Sequence, residues 1–353
     1  MSFLHIGHGL AGRGWLVTVL ATCDEVAQGF REAGVRAEHL RRDAWESWRL
    51  RAMLRRGQAH ILMPDRPHDL RVGAIATAGG RGRVRIVYRY NLSRAKVPDD
   101  VVTRLAYGLL VKETVFLTAS ARRRVLAQAP FMHTAPSLVI PEGIDVAQFR
   151  PRQRDAAEFR QRYGLARDSF VLAVGALSPE KRYDFLFAAL KGLGPSAPLL
   201  VICGAGMEEQ RLRELASRLD VRVRFLGQIS RDELPGAYSA SAALVHGCAV
   251  ETFGLSVLEA MACGCPVIAV AGGALPEVVG VDGTCGVLVD PAAPLEMRDA
   301  ITVLLRDKPR AESMGAAARA SAIARFSLET MVSGYASALS RHLPFNLARR
   351  PLA

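Results

Sequence analysis

Short apolar runs alternate with amphipathic stretches along most of the chain, and this alternation limits the possible folds more than any other feature. The apolar runs predict buried strands, and the stretches between them predict helices. Strands that alternate with helices favour parallel sheets with crossover helices, so we expect an α/β fold. The predicted strands are Val17–Ala21, His60–Met63, Val84–Tyr90, Thr114–Thr118, Leu138–Ile140, Phe170–Val174, Leu199–Cys203, Val223–Leu226, Ala243–His246, Val267–Val270 and Gly286–Val289.

Chain length and a turn-rich central segment indicate two domains. The 353 residues correspond to two domains of ordinary size. Residues 141–151 are rich in turn-forming and polar residues and form the predicted linker. We expect two doubly wound domains, 1–150 and 151–325, followed by a C-terminal segment, 326–353.

Composition excludes several classes of protein. Half of the residues are hydrophobic and 23% are charged, which excludes a disordered chain. No run approaches the roughly 18 uncharged apolar residues that a membrane-spanning helix needs, and the first residues lack the basic start of a signal peptide. Six cysteines without zinc spacing predict reduced thiols in a cytoplasmic protein with no metal site and no organic cofactor.

Positive charge is concentrated in the first half of the sequence. Residues 1–150 contain 23 basic and 13 acidic residues, whereas 151–353 contain 23 and 21. A basic half attracts anions, so we expect contact with a phosphorylated lipid, with nucleic acid, or with an anionic membrane surface such as the cytoplasmic face of the inner membrane. Local support comes from basic runs whose alternative interpretation is a solvated surface; they contain Arg81, Arg83, Arg85, Arg89, Arg94 and Arg122–Arg124. No recognised binding motif supports a nucleic-acid binder, so no nucleic-acid partner is predicted.

One glycine pattern near the start of the sequence matches a nucleotide-binding motif in spacing but not in context. Gly7, Gly9 and Gly12 match the dinucleotide fingerprint G-x-G-x-x-G. That fingerprint needs a strand before it and a full crossover helix after it. Only six residues precede Gly7, and a predicted strand begins at Val17, so we do not expect a nicotinamide site.

The stretch from His246 to Val270 carries the strongest functional signal. Glu251 lies in a turn after a predicted strand, and Glu259 lies on the helix that begins near Gly254. The free N–H groups at a helix N-terminus bind phosphate or diphosphate well. Carboxylates on either side would accept hydrogen bonds from the sugar rings of a nucleotide sugar. An ordinary strand–turn–helix unit with a solvated Glu251 is the alternative.

Three further strand ends carry glycine turns. Gly175 follows a predicted strand and precedes Lys181, which is suited to neutralising a departing diphosphate. Gly204 and Gly206 follow the next strand. Ile229 lies in a later turn that is expected to face a nucleobase.

Together these motifs resemble family 4 of the retaining glycosyltransferases, which have the GT-B fold. The resemblance is strong over about 170–305 and moderate over 15–151. It implies two Rossmann-like domains with a cleft between them, and a C-terminal segment, 326–353, that packs back on the first domain. It also implies a nucleotide-diphosphate sugar as donor and a glycan or lipid-linked acceptor. The implied donor site comprises Gly175, Lys181, Gly204, Gly206, Ile229, Glu251, Thr252, Phe253, Gly254, Leu255 and Glu259.

The resemblance also implies roles for individual residues. Glu259 would hold the nucleotide ribose, Glu251 the transferred sugar, and Lys181 with residues 253–255 the diphosphate. Lys181 and Glu251 are therefore predicted catalytic groups. On the acceptor side, Asp65 and Tyr90 stand where the family often has histidines, so they are also predicted to be catalytic.

Some positions depart from the family pattern. Ala176 replaces an arginine beside the lysine, and Thr252 replaces a glycine after the first glutamate. Val17–Ala21 aligns with the family's second strand, so the usual first strand has no counterpart in this sequence. Either the sequence begins too late, as a misassigned start would produce, or the first domain lacks this central strand and leaves its two neighbours unpaired.

The expected function is metal-independent, retaining transfer of a sugar in cell-envelope synthesis of the lipopolysaccharide kind. The alternative is an inactive GT-B protein that binds a nucleotide sugar or a protein partner.

Overall fold

The computed structural model describes residues 2–79, 84–91, 99–165 and 169–344, which form two compact α/β units. Unit 1 comprises Met1–Gly143 together with Leu328–Ala353, and unit 2 comprises Ile144–Ser327. Three of the predicted basic residues, Arg81, Arg83 and Arg94, lie outside the described residues. Every helix of the described ranges is too short or too polar to span a bilayer.

Unit 1 contains two separate parallel sheets. One sheet pairs β1 with β2, and the other has the order β3-β4-β5-β6. In chain order the elements are α1 (Ser2–Ala11), β1 (Val19–Ala21), α2 (Asp24–Glu32), β2 (Ala37–His39), α3 (Glu46–Arg56), β3 (Ile61–Leu62), α4 (Pro67–Thr77), β4 (Arg85–Tyr90), α5 (Val101–Leu109), β5 (Val111–Phe116), α6 (Ala119–Gln128), β6 (Ser137–Val139) and, after unit 2, α15 (Leu328–Ser340).

The division into two sheets leaves one edge each of β1 and β3 without a partner strand in the part of the chain that the structure describes. Leu20 of β1 and Leu62 of β3 nevertheless pack against the same small cluster, which is built around Leu50 and Leu54 of α3. Side-chain packing rather than a strand ladder therefore links the two sheets.

Two glycines of the G-x-G-x-x-G pattern belong to a helix, and the third follows it. Gly7 and Gly9 lie within α1 and Gly12 lies just after it, so the first two do not form the turn between strand and helix that the dinucleotide fingerprint needs. A Cβ added to Gly9 would lie 2.5 Å from Cγ2 of Val332 in α15, so glycine allows the two helices to approach closely. Ile6 and Leu10 complete this contact in the core of unit 1.

Unit 2 contains one six-stranded parallel sheet with the order β12-β11-β10-β7-β8-β9. The strand order reverses direction beside β7, and ligands of such sheets bind near this point at the carboxyl ends of the strands. Its elements are α7 (Gln153–Arg162), β7 (Phe170–Val174), α8 (Tyr183–Lys191), β8 (Leu199–Cys203), α9 (Glu209–Leu219), β9 (Val223–Gly227), α10 (Leu234–Ala240), β10 (Ala243–His246), α11 (Leu255–Ala262), β11 (Val267–Val270), α12 (Leu275–Val279), β12 (Val287–Val289), α13 (Pro294–Arg306) and α14 (Lys308–Phe326).

The predicted strands agree better with unit 2 than with unit 1. The observed bounds of β7, β8, β10 and β11 equal the predicted ones. In unit 1, β2 was not predicted, and the expected strand 60–63 contains only Ile61–Leu62. The expected strand 114–118 begins earlier, at Val111, and ends at Phe116, because Thr118 caps α6 through its side chain.

Candidate functional site

The loops after β7, β8 and β9 run side by side at the carboxyl edge of the unit 2 sheet. Gly175 donates its backbone N–H to the Cys203 carbonyl at 3.0 Å, and Gly204 donates to Gly227 at 2.8 Å. The loops enclose a cavity of about 300 Å³, which includes three of the predicted donor-site residues, Gly175, Gly204 and Ile229. The cavity is lined by Val174, Gly175, Ala176, Cys203, Gly204, Ala205, Gln228, Ile229 and Leu234.

Two glycines are required by the close approach of these loops. A Cβ on Gly204 would lie 1.9 Å from the carbonyl oxygen of Gly175, and one on Gly206 would lie 2.3 Å from that of Leu177. Both obstacles are backbone atoms, which cannot move aside as a flexible side chain can. Gly206 therefore shapes the neighbouring loop, although it does not line the cavity.

Lys181 and Glu251 meet beside this edge. The Lys181 Nζ lies 2.7 Å from Oε2 of Glu251, and both side chains are largely buried. Lys181 also runs past the β7 loop, since a Cβ on Gly175 would lie 3.6 Å from the Lys181 Cε. The two predicted catalytic residues of unit 2 are thus in direct contact, next to the glycine loop that borders the cavity.

His246, the last residue of β10, is a third member of this cluster that sequence reasoning missed. Its Nε2 lies 3.3 Å from Oε2 of Glu251, and the side chain is 5% exposed. Neither ring nitrogen makes an aligned hydrogen bond with any of the described residues. Burial alone would raise the pKa of Glu251, but the imidazole and the Lys181 ammonium hold the pKa of that carboxyl at about 2. Glu251 is therefore an anion at neutral pH.

The backbone around Glu251 is fixed by a glycine pair. Ala274 donates its N–H to the Glu251 carbonyl at 3.0 Å. A Cβ on Gly273 would lie 2.1 Å from that same carbonyl oxygen, and one on Gly272 would lie 2.2 Å from the carbonyl oxygen of Ala249. The Gly272–Gly273 turn thus supports the segment that carries Glu251.

Glu259 lies on α11 and has its own partners. Tyr238 donates its hydroxyl to Oε2 of Glu259 at 2.9 Å, and Arg231 Nη1 lies 3.1 Å from Oε1. Arg231 also stacks over the Phe149 ring at 4.8 Å. Burial raises the pKa of Glu259 despite the Arg231 charge and the Tyr238 hydroxyl. Neither Glu251 nor Glu259 is among the residues that line the cavity. Arg231, the partner of Glu259, follows two positions after Ile229, which does line the cavity.

The remaining predicted donor-site residues form the start of α11. Gly254 occupies the N-cap with φ 89°, a left-handed conformation that glycine adopts without strain. Phe253 is buried against Phe326, whereas Leu255 is exposed and Thr252 is half-buried. The N-terminus of α11 therefore follows directly after the turn that holds Glu251.

In unit 1, the predicted catalytic residues have different surroundings. Asp65 follows β3, is partly exposed, and accepts a 2.7 Å hydrogen bond from Nη1 of Arg89. Tyr90 is buried in an aromatic cluster with Tyr88 and Phe116. Burial also raises the pKa of Tyr90, so its hydroxyl stays protonated at neutral pH.

The interpretation of Arg89 as part of a solvated or membrane-facing basic run is wrong. Arg89 is 1% exposed and donates from Nη2 to Glu142 at 2.5 Å and from Nε to Tyr335 at 2.9 Å. The alternation of β4 explains this position, because Tyr88 and Tyr90 occupy the other face of the strand.

No group of three or more His, Cys, Asp or Glu side chains within the described ranges is placed to hold a metal ion.

The chain is similar to known glycosyltransferases. A family model described as "Glycosyl transferases group 1" matches residues 155–321. A protein of Corynebacterium glutamicum named "GDP-mannose-dependent monoacylated alpha-(1-6)-phosphatidylinositol monomannoside mannosyltransferase" is 33% identical over 277 residues, which are 75% of this chain and 71% of that protein.

Two further comparisons concern length and fold. A Mycobacterium tuberculosis protein named "GDP-mannose-dependent alpha-(1-6)-phosphatidylinositol monomannoside mannosyltransferase" is 33% identical over 258 residues, and the match spans 70% of this chain but only 66% of that protein. The crystal structure of Anabaena Alr3699/HepE in complex with UDP has a TM-score of 0.83 at 21% identity and covers 96% of each chain. The predicted GT-B fold is confirmed. The sequence identity to the Corynebacterium protein and the matching family model show that this chain belongs to the group 1 glycosyltransferases.

Proposed function

We propose that the protein transfers a sugar from a nucleotide-diphosphate sugar to a hydroxyl group of a glycan or lipid-linked acceptor. The observation that carries this proposal is the Lys181–Glu251 contact beside the glycine-loop cavity of unit 2. A cation next to an anionic carboxylate can bind the phosphate and a sugar hydroxyl of one ligand at the same time. The relatives named as GDP-mannose-dependent mannosyltransferases support the donor class.

In the proposed complex, unit 2 holds the donor. The nucleoside occupies the loops after β7, β8 and β9, and Glu259 accepts hydrogen bonds from the ribose. Lys181 and the N-terminus of α11 stabilise the negative charge that develops on the leaving diphosphate. Glu251 accepts a hydrogen bond from the transferred sugar. Transfer proceeds with retention on one face of the sugar, and the leaving phosphate accepts the proton of the acceptor hydroxyl.

The acceptor is proposed to bind to unit 1, where Asp65 is the partly exposed candidate contact. The names of these relatives include a phosphatidylinositol monomannoside, which supports a lipid-linked polyol as acceptor. We place this reaction in cell-envelope synthesis on the cytoplasmic side of the membrane, and we propose that no metal ion is needed.

A binding and transfer experiment tests the proposal. Nucleoside diphosphates and their mannose and glucose derivatives are titrated by calorimetry, and donor turnover is followed with and without a metal chelator. We expect saturable binding, turnover that resists chelation, and loss of turnover in Lys181→Ala. The matched control is Lys191→Ala, an exposed lysine at the end of α8. Equal turnover in Lys181→Ala and wild type would contradict the proposed donor site.

The second candidate function is a GT-B protein that binds a nucleotide sugar without transferring it. Ala176 favours this alternative, since it lines the cavity where the family often has a second cation. Tight binding of a nucleotide sugar with no transfer to any phosphatidylinositol or glycan acceptor would support it. Restored transfer in Ala176→Arg would then assign the loss to this position.

A further inference from the structure

Helix α3 of unit 1 turns two tryptophans towards solvent. Leu50 and Leu54 of this helix are buried, whereas Trp45 at its N-cap and Trp48 in its first turn are each 64% exposed. Helical spacing places Ala52, Arg55 and Arg56 on the same side as the tryptophans, opposite to the buried leucines. The solvent side of α3 is thus apolar and basic at once.

Positive charge surrounds these tryptophans. Residues 41–56 contain six arginines and two acidic residues. Both acids are engaged: Asp43 pairs with Arg49, and Glu46 is buried beside His68. No ion pair of Arg55 or Arg56 occurs among the described residues. Arg41 pairs with Asp43, and Arg42 pairs with Asp69. The charge of Arg55 and Arg56 therefore remains available to an anionic partner.

The apolar surface continues onto the end of α4. Arg51 stacks on the Trp48 ring at 5.5 Å and donates to the carbonyl oxygens of Ile75 and Ala76 at 2.8 and 2.9 Å. These bonds satisfy carbonyl groups at the C-terminal end of α4 and fix it beside Trp48. The Ile75 side chain is 51% exposed. We call Trp45, Trp48, Arg55, Arg56 and Ile75 the tryptophan face.

We propose that the tryptophan face docks on an anionic lipid bilayer. Indole rings partition to the boundary between headgroups and acyl chains, because they combine a large apolar ring with one N–H donor. Arginines around them add attraction to acidic headgroups. A second copy of the chain is a poor occupant, since two such basic faces would repel each other.

This inference deepens the proposed function, on which its biological purpose rests: a lipid-linked acceptor is reached most directly by an enzyme held at the bilayer. It also assigns the membrane contact to a different surface from the one expected from the sequence. The basic runs at 81–94 and 122–124 were the sequence candidates, whereas the described surface that combines exposed tryptophan with arginine is on α3.

Vesicle co-sedimentation of the full chain tests the proposal. Vesicles of phosphatidylcholine alone are compared with equimolar phosphatidylcholine and phosphatidylglycerol, at low and high salt. We expect binding to the anionic vesicles only, weakened by salt, with a blue shift of tryptophan fluorescence. The double variants Trp45→Ala/Trp48→Ala and Arg55→Glu/Arg56→Glu should each bind about tenfold more weakly or worse.

Matched variants of exposed residues in unit 2 serve as controls. Val281→Ala/Leu295→Ala removes exposed apolar side chains, and Arg154→Glu/Arg218→Glu reverses two exposed charges; both should bind as wild type does. Circular dichroism verifies that each variant is folded. The Arg55→Glu/Arg56→Glu variant alters only exposed side chains, so it remains informative if the Trp45→Ala/Trp48→Ala variant unfolds.

Three results would overturn the inference. These are equal binding to neutral vesicles, wild-type binding by the folded Arg55→Glu/Arg56→Glu variant, and a self-association in solution that the Trp45→Ala/Trp48→Ala variant abolishes. The assay uses neither donor nor acceptor. Failure of vesicle docking therefore leaves the proposed transfer reaction standing, and failure of nucleotide binding leaves the docking surface standing.

Discussion

His246 combines burial with an unfulfilled capacity for hydrogen bonding, and the carboxylate that its ring contacts among the described residues is that of Glu251. We expect His246→Leu to weaken binding of a nucleotide sugar by about tenfold, because Glu251 loses the polar neighbour at 3.3 Å that orients it. Affinity for the nucleoside diphosphate alone should stay unchanged, since it lacks the sugar. Both constants are measured by calorimetry.

His246→Gln is the matched control for this prediction. Glutamine retains an N–H donor on a side chain of similar reach, so it should preserve most of the affinity for the nucleotide sugar. If the leucine and glutamine variants lose affinity for the sugar-free nucleotide equally, His246 serves only to pack the end of β10.

Glu251 predicts a specific dependence of stability on pH. Its folded pKa of about 2 lies below the value of 4.5 for an unperturbed glutamate, so its ionised form stabilises the folded state. This contribution is fully present above pH 4.5 and is lost as the pH falls towards 2. We expect Glu251→Gln to unfold more easily at pH 7, by about 2–3 kcal/mol, with the difference largely gone near pH 2.

Urea unfolding of both proteins at several pH values measures this difference. Asp220→Asn, a change at an exposed carboxylate after α9, is the control and should show little difference at any pH. A gap between wild type and Glu251→Gln that widens with acidification would contradict the assignment of Glu251 as an ionised, paired carboxylate.

At the scale of elements, strands are predictable where burial is complete. The central strands β7, β8 and β10 of unit 2 are continuous apolar runs with nearly every residue buried, so sequence alone gives their bounds. By contrast, β2 has the sequence Ala-Glu-His with only its first residue buried, and no hydrophobic pattern marks it. Short edge strands depend on tertiary contacts that a local pattern does not contain.

The residues of the candidate site also divide into those that a local sequence pattern marks and those that only the fold brings together. The glycines and Lys181 could be located from the sequence because each follows a recognisable strand end. His246, Arg231 and Arg89 were missed as partners because each meets its carboxylate through the fold rather than through sequence spacing. A single signal was available for Arg89, namely its position within an otherwise apolar strand.

The β7 and β8 loops supply a prediction at this scale. Gly204→Ala should destabilise the protein by about 1–3 kcal/mol and weaken nucleotide binding, because its Cβ would collide with the Gly175 carbonyl and separate the loops. Chemical unfolding and calorimetry measure both effects. Gly29→Ala in α2, where an added Cβ meets nothing within 4 Å, is the control and should be neutral or slightly stabilising. Wild-type nucleotide affinity in Gly204→Ala would contradict the role of the loop contact.

At the scale of the whole molecule, the positive net charge of the first 150 residues does not show which of their cations are exposed to an external anion. The first 150 residues carry nearly all of the excess positive charge of +12. One of those cations, Arg89, is enclosed by Asp65 and Glu142 in the interior of unit 1, whereas Arg55 and Arg56 of α3 face solvent. Only the second kind can contribute to attraction of an external anion.

Each unit has its own core, so damage to one core should leave the ligand affinity of the other intact. Arg89→Met leaves two carboxylates in unit 1 without their cation and should cost about 3–5 kcal/mol of stability. Below the unfolding temperature, the dissociation constant of a nucleoside diphosphate, which we assign to unit 2, should match that of wild type. Arg85→Met, at the partly exposed start of the same strand, should change stability by less than about 0.5 kcal/mol. Scanning calorimetry with and without nucleotide measures both quantities, and a loss of nucleotide affinity in folded Arg89→Met would show that the two units are coupled through this arginine.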